Sequence, residues 1–146
     1  PLLHTNSCET LCQTATPFPW EWGEPRGGTT ALLEGDEYLA FFHSSLPMKT
    51  KNSSGKEVLH YFMGAYTYSK HPPFTIQRIS PSPIIGKGFY KGDNKTPYWG
   101  SKKVIFPVGY IADDSHIWIS YGRQDKECWI VKLDKKRFLE SLIIHK

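Results

Sequence analysis

Four short clusters in this chain combine residue types that could hold or transform a small polar ligand. Arg26-Gly27-Gly28-Thr29 joins a planar guanidinium fork, suited to phosphate or carboxylate, to two glycines that let a backbone approach a ligand closely. The plain alternative is a turn ahead of a strand, carrying a surface arginine. Phe42-His43-Ser44 puts a histidine at the end of an apolar run, where a ligand role competes with that of an ordinary structural histidine. Phe106-Pro107-Val108-Gly109 contains a proline that cannot donate to a β-ladder, so it marks a sheet edge, a bulge or a strand starting beside a cavity. Tyr121-Gly122-Arg123-Gln124-Asp125 supplies an aromatic ring, a cation and a carboxylate in one short stretch. A sugar needs that mixture, a face for stacking and charged groups for its hydroxyls. The competing reading is a polar hairpin turn with a local ion pair.

Other chemistries have less support. His4, Cys8 and Cys12 could touch a metal, but no fourth ligand of a structural zinc site is evident, so neither a metal nor a cofactor is expected. The chain has no G-x-S-x-G, no H-E-x-x-H and no phosphate-binding Walker loop, which removes the motif basis for those enzyme classes.

The elements that must position these clusters are almost all strands. Residues 1–26 contain Pro17, Pro19 and Pro25, have no clean period and read as an irregular lead-in with a helical turn around Glu9–Gln13. From Gly27 onward the pattern predicts strands at Thr29–Leu33, Tyr38–His43, Val58–Tyr68, Phe74–Ile79, Val104–Ala112, His116–Tyr121 and Cys128–Leu133. Gly35-Asp36 and Asp113-Asp114-Ser115 are turn signals, and Pro47–Lys56 and Pro81–Pro97 read as loops. Only Lys135–Leu142 has a helical period, with Phe138, Leu139 and Leu142 on one face. Leu32–Ser44 can be laid over Tyr110–Gly122 as strand, acidic turn and strand, each followed by a third strand. A repeated meander suggests a β-propeller blade, and two blades alone would leave unpaired edges.

Composition agrees with an all-β globular chain. Of 146 residues, 39% are hydrophobic, and five Trp, eight Tyr and eight Phe are too many for a disordered segment. The 18 Lys and Arg never form a long run and are interspersed with 14 acids, which argues against a nucleic-acid partner despite the net charge of +4. No apolar run reaches the 18 or more residues of a membrane-spanning helix, so no membrane partner is expected. Cys8, Cys12 and Cys128 are an odd, sparse set that favours a reducing, cytoplasmic setting. The glycosylation-type triplets at Asn52 and Asn94 are common by chance and leave the compartment open.

In their order along the chain, these segments resemble the β-mannoside phosphorylase and related family of glycoside hydrolases, the glycoside hydrolase family 130-like and furanosidase-type five-bladed β-propellers. Gly27-Gly28-Thr29 and Phe42-His43-Ser44 are similar to that family's glycine-rich segment and Tyr-His-Gly motif. Gly64-Ala65, Pro72-Pro73, Arg78 and Pro83-Ile84 follow its next element, and Val104–Gly109 with Ser120–Asp125 resembles its Val-x-Phe-Pro-x-Gly and Tyr-Tyr-Gly-x-x-Asp. The resemblance runs from Gly27 to Leu133 and covers only the C-terminal part of the family's domain. It implies two blades of an incomplete five-bladed propeller over residues 27–146 with a short C-terminal helix, and upstream blades as partners. It also implies carbohydrate and inorganic phosphate as ligands. Phosphate would fall to Arg26 and His43, and the sugar to His43, Tyr121, Arg123 and Asp125. The family's catalytic acid lies in an earlier blade and has no counterpart in these residues, so the resemblance assigns no catalytic residue here.

Three functions therefore compete: a glycoside phosphorylase or hydrolase fragment, a non-catalytic glycan-binding module, and a protein-interaction propeller. Under the first two, the repeat places His43-Ser44 and Tyr121-Gly122 at equivalent strand ends. His43, Arg26, Arg123 and Asp125 are then expected to face one shared cavity.

Overall fold

The computed structural model describes residues 19–92, 95–96 and 100–145. The helical turn at Glu9–Gln13, the His4-Cys8-Cys12 group and Asn94 itself lie outside the described residues. The strands are β1 (Leu32–Glu34), β2 (Glu37–Lys49), β3 (Glu57–Ser69), β4 (Ile76–Ile79), β5 (Lys95–Thr96) and β6 (Gly100–Lys103). They continue with β7 (Ile105–Ala112), β8 (His116–Arg123), β9 (Glu127–Asp134) and β10 (Ile143–Ile144); helix α1 is Lys135–Ser141. The fold is all-β with one short helix.

Two sheets result. The first orders β1-β2-β3-β4-β10 in antiparallel pairs, with β6 added parallel to β3 and β5 paired to β6. The second is the three-stranded meander β7-β8-β9. Both predicted hairpins form: β1 turns into β2 through Gly35, which has φ +63°, and β7 turns into β8 through Asp113. The Asp113 carboxylate accepts the backbone N–H groups of Ser115 and His116, each at 2.7 Å, which explains why an acid opens that turn.

The core lies between the sheets. Leu39, Phe41, Met63 and Ala65 from the first sheet meet Ile105, Tyr110, Ile117, Ile119 and Tyr121 from the second. Phe41 packs edge-on against Tyr110, with centroids 4.9 Å apart, and is stacked by Phe138 at 5.6 Å. Helix α1 thus docks with the face that the sequence predicts, and Leu142 is buried with it. The Arg78 Nη1 donates to Leu139 O at the helix end, while β10 pairs with β4 at Ile143↔Ile79.

One predicted boundary moves clearly. The sequence reads Pro47–Lys56 as a loop, yet β2 runs on to Lys49. Leu46 and Met48 continue the alternation and pack against a second cluster of Trp20, Phe42, Phe62 and Ile79, so the loop shrinks to a 3-10 turn at Lys51–Ser53. Of the lead-in, the described residues 19–26 pack against β2: the Trp20 Nε1 donates to Ser44 Oγ at 2.7 Å, and Ser44 donates to Trp22 O at 2.6 Å. β2 is therefore buried on both faces, which suits its near-continuous apolar run.

Candidate functional site

The strand ends nearest β7 collect most of the residues singled out by sequence. Alternation along β2 puts Leu39, Phe41 and His43 on the face toward the second sheet. Residues 26–29 then line up beside β2 as a short continuation of β1. Arg26 and His43 exchange backbone hydrogen bonds of 2.7 and 3.1 Å, and Thr29 N donates to Phe41 O at 2.9 Å.

The His43 ring is held on three sides. Its Nδ1 lies 2.7 Å from Gly27 O, and a carbonyl can only accept, so Nδ1 carries the proton and Nε2 is the acceptor in the neutral ring. Phe106 sits 4.3 Å from the ring centroid, and Tyr61 stacks at 6.0 Å. Burial pushes the His43 pKa below its ordinary value, and the Arg26 charge pushes the same way against the opposing Gly27 bond. A neutral His43 presents a lone pair at Nε2. It can accept a hydroxyl proton, whereas a phosphate oxygen would need it protonated.

The two glycines of the cluster differ. A Cβ on Gly28 would lie 2.5 Å from Phe41 O and 2.9 Å from Pro107 Cγ, so this glycine is needed for close passage between β2 and β7. No atom lies within 4 Å of the Cβ position on Gly27, which is the open side of the segment.

A second group sits where β8 turns into β9. Arg123 Nε donates to Glu127 Oε2 at 2.7 Å, with Nη2 on the same oxygen, and Trp129 Nε1 reaches it at 2.6 Å. These bonds, Trp129 first and then Arg123, hold the Glu127 carboxyl below its usual range. The guanidinium lies 4.3 Å over the Trp129 ring, and Trp129 remains 46% exposed. Tyr121, read from sequence as a stacking face, is instead a core residue with its ring 4.7 Å from Phe89. The exposed aromatic is its cross-strand neighbour Trp129, which pairs with Tyr121 in the β8–β9 register. Sequence reasoning missed Trp129 because it counted only as a strand residue. Its odd-number phase with Glu127 across a tight turn from Arg123 was the available signal.

Phe106 links the two groups: its ring touches His43 and its backbone faces Gly122 across β7–β8. Arg26 and His43 are brought together, as are Tyr121 and Arg123. Asp125 stands exposed at the hairpin tip with φ +55°, apart from the Arg26–His43 pair on β2. Of the edge, bulge or cavity-side start expected at Phe106–Gly109, two are seen: the register shifts between Pro107 and Gly109, and β7 is an edge of its sheet.

A concavity of about 630 Å³ lies at the opposite end of β2 and β3, where Glu37 pairs with Ser69. Asp36, Glu37, Lys70 and His71 line it beside Pro72 and Pro73. The sequence offered no cue to it, because its walls come from two turns that only the β2–β3 pairing makes neighbours. Among the described residues, no group of three or more His, Cys, Asp or Glu could hold a metal ion. No family model, no curated protein and no solved structure matches this chain.

Proposed function

We propose that this chain is the C-terminal part of a carbohydrate-binding β-propeller of the glycoside phosphorylase and hydrolase type, contacting its sugar near the β8–β9 turn. The observation that carries the reading is the exposed Trp129 indole, backed by the Arg123 guanidinium and by a Glu127 carboxylate fixed by both. A pyranose is recognised by an apolar ring face together with rigid charged hydrogen-bonding groups. Asp125 at the adjacent tip adds an acceptor for hydroxyls, and neutral His43 adds another through Nε2. In this reading the two meanders are neighbouring blades and the catalytic acid comes from elsewhere in the propeller.

Titration of the chain with β-mannosides and a panel of other glycosides, followed by tryptophan fluorescence, tests the proposal. A charged hydrogen bond is worth about 1.5–3 kcal/mol, so Asp125→Asn should weaken the preferred sugar roughly 10- to 100-fold. Trp129→Ala should weaken it by a similar factor. Binding unaffected by both changes would remove the site. A second reading, a protein-interaction module, is favoured by Ile111 and Ile130, which lie exposed on the outer face of the second sheet. Absence of glycan binding together with capture of a protein partner through that face would select it.

A further inference from the structure

The concavity of about 630 Å³ where β2 begins and β3 ends is lined by charges of both signs that do not meet. Asp36 and Glu37 come from the β1–β2 turn, Lys70 and His71 from the segment just past β3. The side chains of Asp36, Lys70 and His71 are unpaired among the described residues. Glu37 is half-paired: its Oε2 takes Arg78 Nε at 2.9 Å and Nη2 at 2.8 Å, which leaves Oε1 for another donor. Lys70 thus lines the same space as two carboxylates without an ion pair to either. Opposite charges that share a cavity but stay apart leave room between them for a ligand that carries both complements.

The walls are held before any ligand arrives. Glu37 opposes Ser69 in the β2–β3 register, so the acids and the 69–75 segment start from one rung of the sheet. Ser69 N donates to Thr75 O at 2.8 Å, Ser69 Oγ to His71 O at 2.9 Å and Phe74 N to His71 O at 3.1 Å, which closes the segment into a tight turn. The Phe74 ring lies edge-on to Tyr68, itself stacked on Tyr38 at 5.4 Å, and this anchors the turn to the sheet. Arg78 also donates to Leu139 O at 3.0 Å, so the guanidinium that orients Glu37 is tied to helix α1. Groups fixed in this way lower the ordering cost of binding. Asp36, Lys70 and His71 remain open to solvent, and Pro72 and Pro73 add an exposed apolar surface beside them.

We propose that this concavity binds a small zwitterion with a free ammonium and a free carboxylate, of the amino acid or short-peptide class. The ammonium takes Asp36 and Glu37 Oε1, the carboxylate takes Lys70 Nζ and the His71 ring N–H, and an apolar side chain lies on Pro72 and Pro73. A volume of about 630 Å³ is ordinary for a small-ligand site and admits a single amino acid or a dipeptide. A simple anion would meet Asp36 and Glu37, and a simple cation would meet Lys70, so a singly charged ligand is disfavoured. None of these residues belongs to the sugar site proposed above, so the inference does not rest on that reading.

The test titrates the full chain with L-leucine, leucylglycine, N-acetyl-leucine and leucinamide while the Lys70 and His71 amide resonances are followed. Saturable binding of the two zwitterions is expected. N-acetyl-leucine and leucinamide should each bind at least about fivefold more weakly, because each lacks one charge. Asp36→Asn should weaken leucine roughly two- to fivefold and leave N-acetyl-leucine, which has no ammonium, unchanged. Lys70→Gln should weaken leucine by a similar factor and spare leucinamide, which has no carboxylate. Both positions are exposed and unpaired, so folding is unaffected. Leucylglycine about fivefold or more tighter than leucine assigns a peptide as the source, and any smaller ratio assigns the free amino acid. The proposal is overturned by no saturable binding of either zwitterion up to roughly 50 mM, or by capped ligands that bind as tightly as the free ones. Variants that weaken all four ligands alike, or none, overturn it as well.

Discussion

The two sheets are built from the same hairpin pattern, yet they use it differently. β2 in the first sheet buries six consecutive residues, Leu39 to Ser44, because one face meets the second sheet and the other meets Trp20 and Phe62. β8, at the matching place in the second sheet, buries Ile117, Ile119 and Tyr121 and leaves Ser120 exposed. β9 is more open still, with Ile130 68% exposed. The first sheet is a central layer, covered on both sides. The second is an outer layer whose inward residues build the core while its turn residues 125–127 stay exposed. Burial is thereby divided unequally between two hairpins of one pattern.

The largest effect should come from the shared core. Phe41→Ala removes a ring packed by Tyr110 and Phe138 and should cost about 3–5 kcal/mol of unfolding free energy in urea. A loss below about 1 kcal/mol would mean that the sheets are not packed through it. Gly28→Ala probes the passage between β2 and β7. With contacts of 2.5 and 2.9 Å to absorb, it should cost about 1–3 kcal/mol, and Gly27→Ala, with open space around it, should cost less.

A smaller effect concerns pH. His43 has a lowered pKa in the folded chain, so the unfolded chain binds more protons in acid. Its contribution is complete above the unfolded histidine value of 6.5 and is lost as pH falls below it toward the lowered folded value. His43→Leu should therefore flatten the fall in melting temperature between neutral and mildly acidic pH. An unchanged slope would show that the ring is not desolvated. The smallest effect is expected at the outer face, where Ile130→Thr should change stability by no more than about 0.5 kcal/mol. A loss above about 1 kcal/mol, dependent on protein concentration, would show that this face is covered in solution and would break the contrast between the layers.

Part of this division was legible in the sequence. The aromatic and apolar run Tyr38–His43 marks a buried strand and His116–Tyr121 a further strand, while only the packing shows that the first is covered on both faces and the second on one. Asp113, Gly35 and the helix at Lys135 also stood where local chemistry puts them. The extension of β2 past Pro47 was not legible, because its cause is Trp20, a residue far off in sequence whose cluster Leu46 and Met48 complete. Arg26 and His43 were found from residue type, but the tautomer of the ring depends on Gly27 O and its enclosure on Phe106, which only folding supplies. Gln124 lies inside the Tyr121–Asp125 cluster, but neither it nor Lys103 carried a cue to being buried. Their burial follows from a strand ladder and a loop that no local pattern encodes.

The pairing of β10 with β4 also bears on the order in which the molecule is completed. Ile143 and Ile144 leave the ribosome after all of the second sheet, yet they protect an edge of the first. Until they arrive, Arg78 and Ile79 offer unpaired backbone groups to any neighbouring nascent chain. Such long-range closure is slow compared with the local hairpins, so the β4 edge is the last part of the first sheet to be secured. Premature termination or proteolytic trimming after α1 would leave both hairpins intact and still yield a chain prone to associate through β4.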